Sequence, residues 1–81
     1  MIAKIIKITI GNSRHGGKIY TVLFKDDSNN TFVSYLSPQN RNFARWKKVL
    51  DIGTVLSNLT LWRSNKNIIN ADSKFVVVEN K

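Results

Sequence analysis

The spacing of hydrophobic residues divides this chain into strands and one helix. Over residues 3–10, the isoleucines after Ile5 alternate with lysine and threonine, the period of two that is typical of a strand with one buried face. β-branched and aromatic residues dominate four further runs, which turn-forming residues separate. These runs are predicted as strands at residues 19–26, 31–37, 54–62 and 68–79, the last one broken or bulged near 70–73.

Residues 38–53 change to the helical period. Phe43, Trp46 and Leu50 recur at positions i, i+3 and i+7, so they share one side of a helix and are expected to pack on the core. The opposite side is basic and solvated, and it could extend a basic track: Arg41, Arg45 and Lys48. The pattern predicts an amphipathic helix of about three turns that ends near Gly53.

The predicted order is therefore strand, strand, strand, helix, strand, strand, within a single domain over residues 1–81. This order resembles the OB-fold, a five-stranded mainly-β barrel with one short helix between its third and fourth strands. The segment from the helix through Gly53 into residues 54–62 is similar to that of small single-stranded-DNA-binding proteins of bacteria and phages. The resemblance implies an oligonucleotide cleft on the face of strands 2 and 3, flanked by the loops that join strands 1–2 and 4–5. Small SH3-type barrels and four-stranded sheets with one helix are the alternative folds, and neither needs a helix at this place.

Charge narrows the classes of partner. Thirteen lysines and arginines face five acidic residues, which gives a formal net charge of +8 and favours a polyanion or an acidic protein. A membrane partner is not expected, because no basic amphipathic helix has a useful length. The apolar N-terminal run is short and is interrupted by Lys4 and Lys7, so neither a membrane span nor a signal peptide is predicted, and we expect a cytoplasmic protein.

Catalysis and cofactors are not expected. The chain has no cysteine and a single histidine, His15, which cannot form a metal site alone. Asp26 and Asp27 are adjacent in a turn and would point apart on a strand. The glycine-rich run at 11–18 lacks the spacing of a phosphate-binding loop and leads into a strand.

The faces of strands 2 and 3 depend on the turn between them. A four-residue turn at 27–30 places one apolar set on the core side: Tyr20, Val22, Phe24, Val33 and Tyr35. The mixed face opposite then presents Phe32 for base stacking and Lys25 for phosphate, although Phe32 could equally close a small cluster under a loop. A turn that differs by one residue would exchange the faces and make Tyr20 and Tyr35 the stacking platforms.

Trp62 stands out at the end of its strand. Alternation predicts Leu61 inside and Trp62 outside, immediately before a basic loop at 63–67. Proteins that bind single strands combine such aromatic residues with cations.

The sequence therefore predicts non-catalytic binding of single-stranded nucleic acid, with DNA favoured over RNA and with little sequence preference. The predicted contacts are Arg14, Lys18, Lys25, Phe32, Trp62, Arg63 and Lys66. The alternative is a protein-binding module, either an accessory subunit of a replication polymerase or helicase or a small inhibitor of a host enzyme. The abundance of Asn, Ile and Lys is typical of an AT-rich gene and indicates a low-GC bacterium or its phage or mobile element. The small core gives the chain a reason to form homo-oligomers.

Overall fold

Seven strands and one short helix occur in the computed structural model, which describes residues 1–12, 14, 16–62 and 65–79. The elements are β1 Ala3–Asn12, β2 Lys18–Lys25, β3 Thr31–Leu36, α1 Phe43–Lys47, β4 Val55–Ser57, β5 Leu61–Trp62, β6 Asn65–Ile69 and β7 Val76–Glu79. The prediction of a mainly-β chain with one short helix after the third strand is confirmed.

The strands form one curled, half-barrel sheet in the order β5-β6-β3-β2-β1-β4-β7. β1, β2 and β3 are an antiparallel meander, and β1 pairs on its other edge with β4. β3 and β6 are parallel, with Val33 opposite Ile68. β5 and β7 pair antiparallel with β6 and β4, respectively.

Seven strands replace the five predicted because two predicted strands are each broken. The run 54–62 divides into β4 and β5 at Asn58, whose φ of 60° lies in the left-handed region and interrupts a regular strand. The run 68–79 is broken between β6 and β7, as predicted near 70–73. Ser57 of β4 pairs with Val76 of β7, and Leu61 of β5 pairs with Ile69 of β6. From one pair to the other, the β4–β5 segment advances four residues and the β6–β7 segment seven. The β6–β7 segment therefore accommodates three extra residues in a turn.

The helix is shorter than predicted. α1 has five residues, and Asn42 occupies its N-cap position without a side-chain capping hydrogen bond. The Asn42 amide instead donates to the Ala71 carbonyl at 2.6 Å. Residues 37–40 form a turn, in which the Ser37 N–H donates to Asn40 Oδ1 at 2.7 Å, so the helix starts only after it. Within the described residues, no helix is long enough to cross a membrane.

The core lies on the concave side of the sheet, and α1 closes it. Trp46 is fully buried, as predicted, with its ring centroid 4.4 Å from that of Phe75 and 6.3 Å from that of Phe24. The alternation after Ile5 predicts Ile6 and Ile8 on the buried face, but Ile5 is the fully buried isoleucine of β1, and Ile8 packs against the core half-buried. The faces change because the register shifts between Ile5 and Lys7. Among the described residues, the other fully buried large hydrophobic side chains are Val22, Phe24, Leu36, Leu56 and Ile69.

The register of β2 and β3 differs by one residue from the prediction. Phe24 lies opposite Phe32, and not opposite Val33. The loop has three residues, 27–29, because the Asp26 N–H already bonds the Asn30 carbonyl at 3.0 Å and Asn29 adopts a left-handed φ of 65°. Such a left-handed residue is typical of three-residue hairpin loops. The shift reverses both faces of β3 and leaves those of β2 as predicted.

The Asp26 carboxylate stabilises this loop. Its Oδ1 accepts the N–H groups of Ser28 and Asn30, both at 2.9 Å, and its Oδ2 accepts the Asn30 amide at 3.2 Å. The hydrogen bond from the Asn30 N–H, followed by those from the Asn30 side chain and the Ser28 N–H, outweighs desolvation and holds the pKa of Asp26 below its ordinary value of 3.8. These bonds favour the ionised form.

We predict that Asp26 stabilises the fold in a pH-dependent way. Because its pKa is lower in the folded state, the contribution is fully present above the unfolded value near 3.8 and is lost as the pH falls through the folded-state pKa. Thermal melts of wild type and Asp26→Asn should therefore differ at pH 6 and converge at pH 2–3. Asp27→Asn removes the same charge and leaves these bonds in place. A wild-type advantage that stays constant down to pH 2 would contradict this assignment.

Candidate functional site

The convex face of β1, β2, β3 and β6 carries a mixed surface. By register, one row across this face contains Lys7, Leu23, Val33 and Ile68. The next row contains Thr9, Thr21 and Tyr35. The aliphatic residues of the first row are half-buried, whereas Lys7, Thr9 and Tyr35 are exposed. This face therefore offers apolar surface, hydroxyl groups and positive charge side by side.

Two aromatic side chains line one groove on this side of the sheet. The groove has a volume of about 370 Å³ and contains both Tyr35 and Trp62, which are 54% and 50% exposed. The remaining lining residues are Asn40, Ile68, Ile69 and Ala71. Two half-exposed rings beside aliphatic side chains form a site suited to flat, apolar groups.

Trp62 is held by the pairing of β5 with β6. Leu61 lies opposite Ile69, and Trp62 lies opposite Asn65. Next to the Leu61–Ile69 pair, the Asn70 N–H donates to the Thr60 carbonyl at 2.8 Å. The Ser73 hydroxyl bridges to the Asn70 carbonyl at 2.6 Å and lies 3.0 Å from the Thr60 hydroxyl. These bonds fix the backbone that carries the indole, so the ring is presented to solvent from a constrained strand.

The far wall of the groove is tied to the core through Ala71. Its carbonyl accepts hydrogen bonds from Trp46 Nε1 at 2.8 Å and from the Asn42 amide at 2.6 Å. The buried helix residue therefore positions the turn that lines the groove. In addition, the Ser34 hydroxyl donates to the Ile69 carbonyl at 3.1 Å and links β3 to β6 beneath the site.

Tyr35 was predicted for the core, and this prediction is wrong. The reversed register of β3 turns it outward and turns Phe32 toward Phe24, where Phe32 packs against the core. Phe32 was predicted on the exposed face, and this placement is wrong as well. From the sequence, Tyr35 is a stacking candidate only if the turn has the alternative length. Tyr20, its companion in that alternative, packs against Phe43 with ring centroids 5.3 Å apart.

Trp62 is exposed, as predicted, but the neighbouring Leu61 is not buried, so that part of the prediction is wrong. Leu61 is 39% exposed, whereas Leu56 and Leu59 are buried and Val55 is only half-buried. The left-handed Asn58 breaks the alternation on which the prediction depended.

The predicted phosphate contacts are distributed around the sheet. Arg14 lies in the connection between β1 and β2, Lys18 begins β2, and Lys25 ends it opposite Lys4. Lys66 lies within β6, so the prediction of a loop over 63–67 is wrong from Asn65 onward. Arg63 lies outside the described residues. Every lysine and arginine that the structure describes is exposed.

The basic residues of the helical segment are separate from the groove. Arg41 and Lys48 are exposed, as is Arg45, but the Arg45 guanidinium donates to the Phe75 carbonyl at 2.9 Å and stacks 4.7 Å from the Phe75 ring centroid. Arg45 therefore also supports the packing of Phe75. Its cation–π contact adds about 0.5–1 kcal/mol at an exposed site.

The carboxylates have no shared site in the described part of the chain. There, no group of three or more histidine or acidic residues could hold a metal ion, and the Asp26 carboxylate is engaged in its hairpin loop. His15 lies outside the described residues.

Comparison with known proteins adds no relative. No protein-family model matches the chain, and neither the curated proteins nor the solved structures gave a match.

Proposed function

We propose that this protein is a non-catalytic module of the OB type that binds single-stranded nucleic acid, with DNA favoured over RNA. The observation that carries the proposal is the groove that the exposed rings of Trp62 and Tyr35 both line, on a chain of net charge +8. Aromatic platforms combined with cations are what sequence-tolerant binding of single strands requires.

The pairing of the strands supports the OB assignment. The β1-β2-β3 meander continues through the parallel pair β3–β6 and the antiparallel pair β6–β5. β5 belongs to the same predicted strand as β4, and β4 pairs back onto β1. If the broken runs 54–62 and 68–79 each count as one strand, five strands surround the core and the helix lies between the third and fourth. That connectivity is expected of an OB barrel.

Stacking would supply the part of the affinity that does not depend on salt. A base on Trp62 or Tyr35 contributes about 1–3 kcal/mol and makes no demand on sequence, because every base has a π-face. The half-buried Ile68 lines the same groove and adds apolar surface to it. Bases would therefore bind on β3, β5 and β6.

Phosphates would follow the lysines of the convex face. Lys7 lies in the same row as Val33 and Ile68, and Lys25 ends the neighbouring strand. Lys66 in β6, with Arg14 and Lys18 near the β1–β2 connection, would extend the positive surface. Each neutralised phosphate releases counterions, so the affinity of the complex would depend on salt.

Salt dependence tests the proposal directly. Fluorescence anisotropy of labelled oligo-dT should show saturable binding at low salt. About three to five phosphate contacts on a single strand predict a slope of about −2 to −3.5 for log K against log salt. Unlabelled duplex DNA should compete weakly with the labelled oligo-dT. Competition by oligo-rU measures the relative affinity for RNA. Absence of binding at 20 mM salt would exclude the proposed function.

The setting of this function is part of the proposal. The residue usage is typical of an AT-rich gene, and it bears on the source of the chain and not on its activity. We place the proposed binding in replication or recombination of a phage or mobile element, in the cytoplasm.

A further inference from the structure

Strand β7 is a terminal strand of the described sheet, and it is unusually apolar for such a position. It pairs with β4 on one edge. Val76, Val77 and Val78 are 58%, 40% and 57% exposed. Edge strands are normally protected by lysine, proline or a covering element, because their free N–H and C=O groups can pair with another chain. The four residues of β7 contain no lysine or proline.

A basic groove runs beside this strand. Its volume is about 390 Å³, and it lies between the end of α1 and the start of β7. Its lining residues are Arg45, Lys48, Val49, Phe75, Val76 and Val77. Lys47 and Lys74 are exposed, and each directly precedes a lining residue in the sequence. Glu79 is the single acidic residue of β7. The valines therefore lie next to a surface that is mainly positive.

We propose that β7 is a docking edge for an acidic, extended segment of a partner protein, which adds to the sheet as a further strand. Main-chain hydrogen bonds along the free edge would provide affinity, and side chains at alternate positions would provide specificity. Apolar side chains of the segment would contact Val76 and Val78, and its carboxylates would contact Lys48 and Lys74. A second copy of this chain is disfavoured as the occupant, because it would bring two equally basic surfaces together.

This surface is separate from the proposed nucleic-acid site. The groove beside β7 shares no lining residue with the groove of Tyr35 and Trp62. Binding of a partner on β7 and binding of oligo-dT can therefore be measured independently, and either can fail without the other.

Two synthetic peptides test the inference. One is an end-blocked octapeptide of alternating glutamate and valine, and the other replaces each glutamate with lysine. In ¹⁵N–¹H spectra of the labelled protein, the acidic peptide should shift the amides of residues 74–79 and saturate, whereas the basic peptide should leave them unchanged. No shift at millimolar acidic peptide, or equal shifts with both peptides, would overturn the proposal.

Charge-reversal variants locate the contact. Lys48→Glu combined with Lys74→Glu should weaken binding of the acidic peptide by about tenfold. Lys7→Glu combined with Lys25→Glu changes the net charge by the same amount on β1 and β2, and it should weaken the peptide about twofold at most. Equal losses in both double variants would reduce the effect to general charge attraction and contradict the inference. Peptide-free self-association that Val78→Lys abolishes would identify a second copy as the occupant, and would also contradict it.

Discussion

Trp62→Ala is expected to lower the affinity for oligo-dT by about 5- to 150-fold, since stacking on one base contributes about 1–3 kcal/mol. The indole is half exposed, so its removal should cost the fold little. Anisotropy titrations of wild type and variant at one fixed salt concentration measure the ratio. The slope against salt should stay the same, because the phosphate contacts remain.

Matched variants separate stacking from general loss of apolar surface. Trp62→Phe keeps an aromatic ring and should retain most of the affinity. Ile52→Ala removes a side chain that is 60% exposed and that does not line the groove, so it should bind as wild type does. Tyr35→Ala should resemble Trp62→Ala. Equal affinity of wild type and Trp62→Ala would remove the indole from the site.

Trp46→Ala is expected to lower the free energy of unfolding by about 3–5 kcal/mol, the usual cost of removing a buried aromatic side chain. Trp46 is fully buried between Phe24 and Phe75 and bonds the Ala71 carbonyl. A domain of 81 residues has a total stability of about 4–12 kcal/mol. The variant should therefore be largely unfolded in mild urea, which far-UV circular dichroism would show.

The comparison with Trp62 makes this prediction specific. Urea melts of Trp62→Ala should differ from wild type by less than about 1 kcal/mol, because exposed positions contribute little to packing. Trp46→Phe should lie between wild type and Trp46→Ala, since it keeps a ring but loses the hydrogen bond to Ala71. If Trp46→Ala and Trp62→Ala melted together, the division into a core and a surface tryptophan would be wrong.

The order of elements could be predicted because it depends only on the periodicity of hydrophobic residues along the chain. Alternation over 19–26 gave the faces of β2 correctly, and the helical spacing of Phe43 and Trp46 placed α1 on the core. The break near 70–73 was visible as a run of turn-forming residues. These features are local, so neighbouring residues are sufficient to define them.

The features that failed depend on single backbone conformations. Asn29 and Asn58 both adopt left-handed φ values, and ten asparagines in the chain give no sequence signal that selects these two. Asn29 shortens the hairpin loop and so reverses β3, exchanging Phe32 for Tyr35 in the exposed set. Asn58 breaks β4 from β5 and leaves Leu61 exposed. A shift of one residue exchanges all the side chains of a strand between its faces.

The site was predictable only in part for the same reason. Trp62 follows from its position at the end of a strand beside cations, and the structure places it in a groove. Its partner Tyr35 depends on the hairpin register, and the wall formed by Ala71 depends on the long-range hydrogen bond from Trp46 in α1. Such contacts between residues distant in sequence cannot be derived from periodicity.

The fluorescence of Trp62 alone provides the most direct test of nucleic-acid binding. Trp46→Phe leaves Trp62 as the single tryptophan of the chain, and Trp62→Phe leaves Trp46. Addition of oligo-dT at low salt should quench the emission of the first variant in a saturable manner, because a stacked base contacts the exposed ring. The emission of the second variant, from the buried Trp46, should stay unchanged. An unquenched Trp62 signal at saturating oligo-dT, or a change confined to Trp46, would contradict the proposed site.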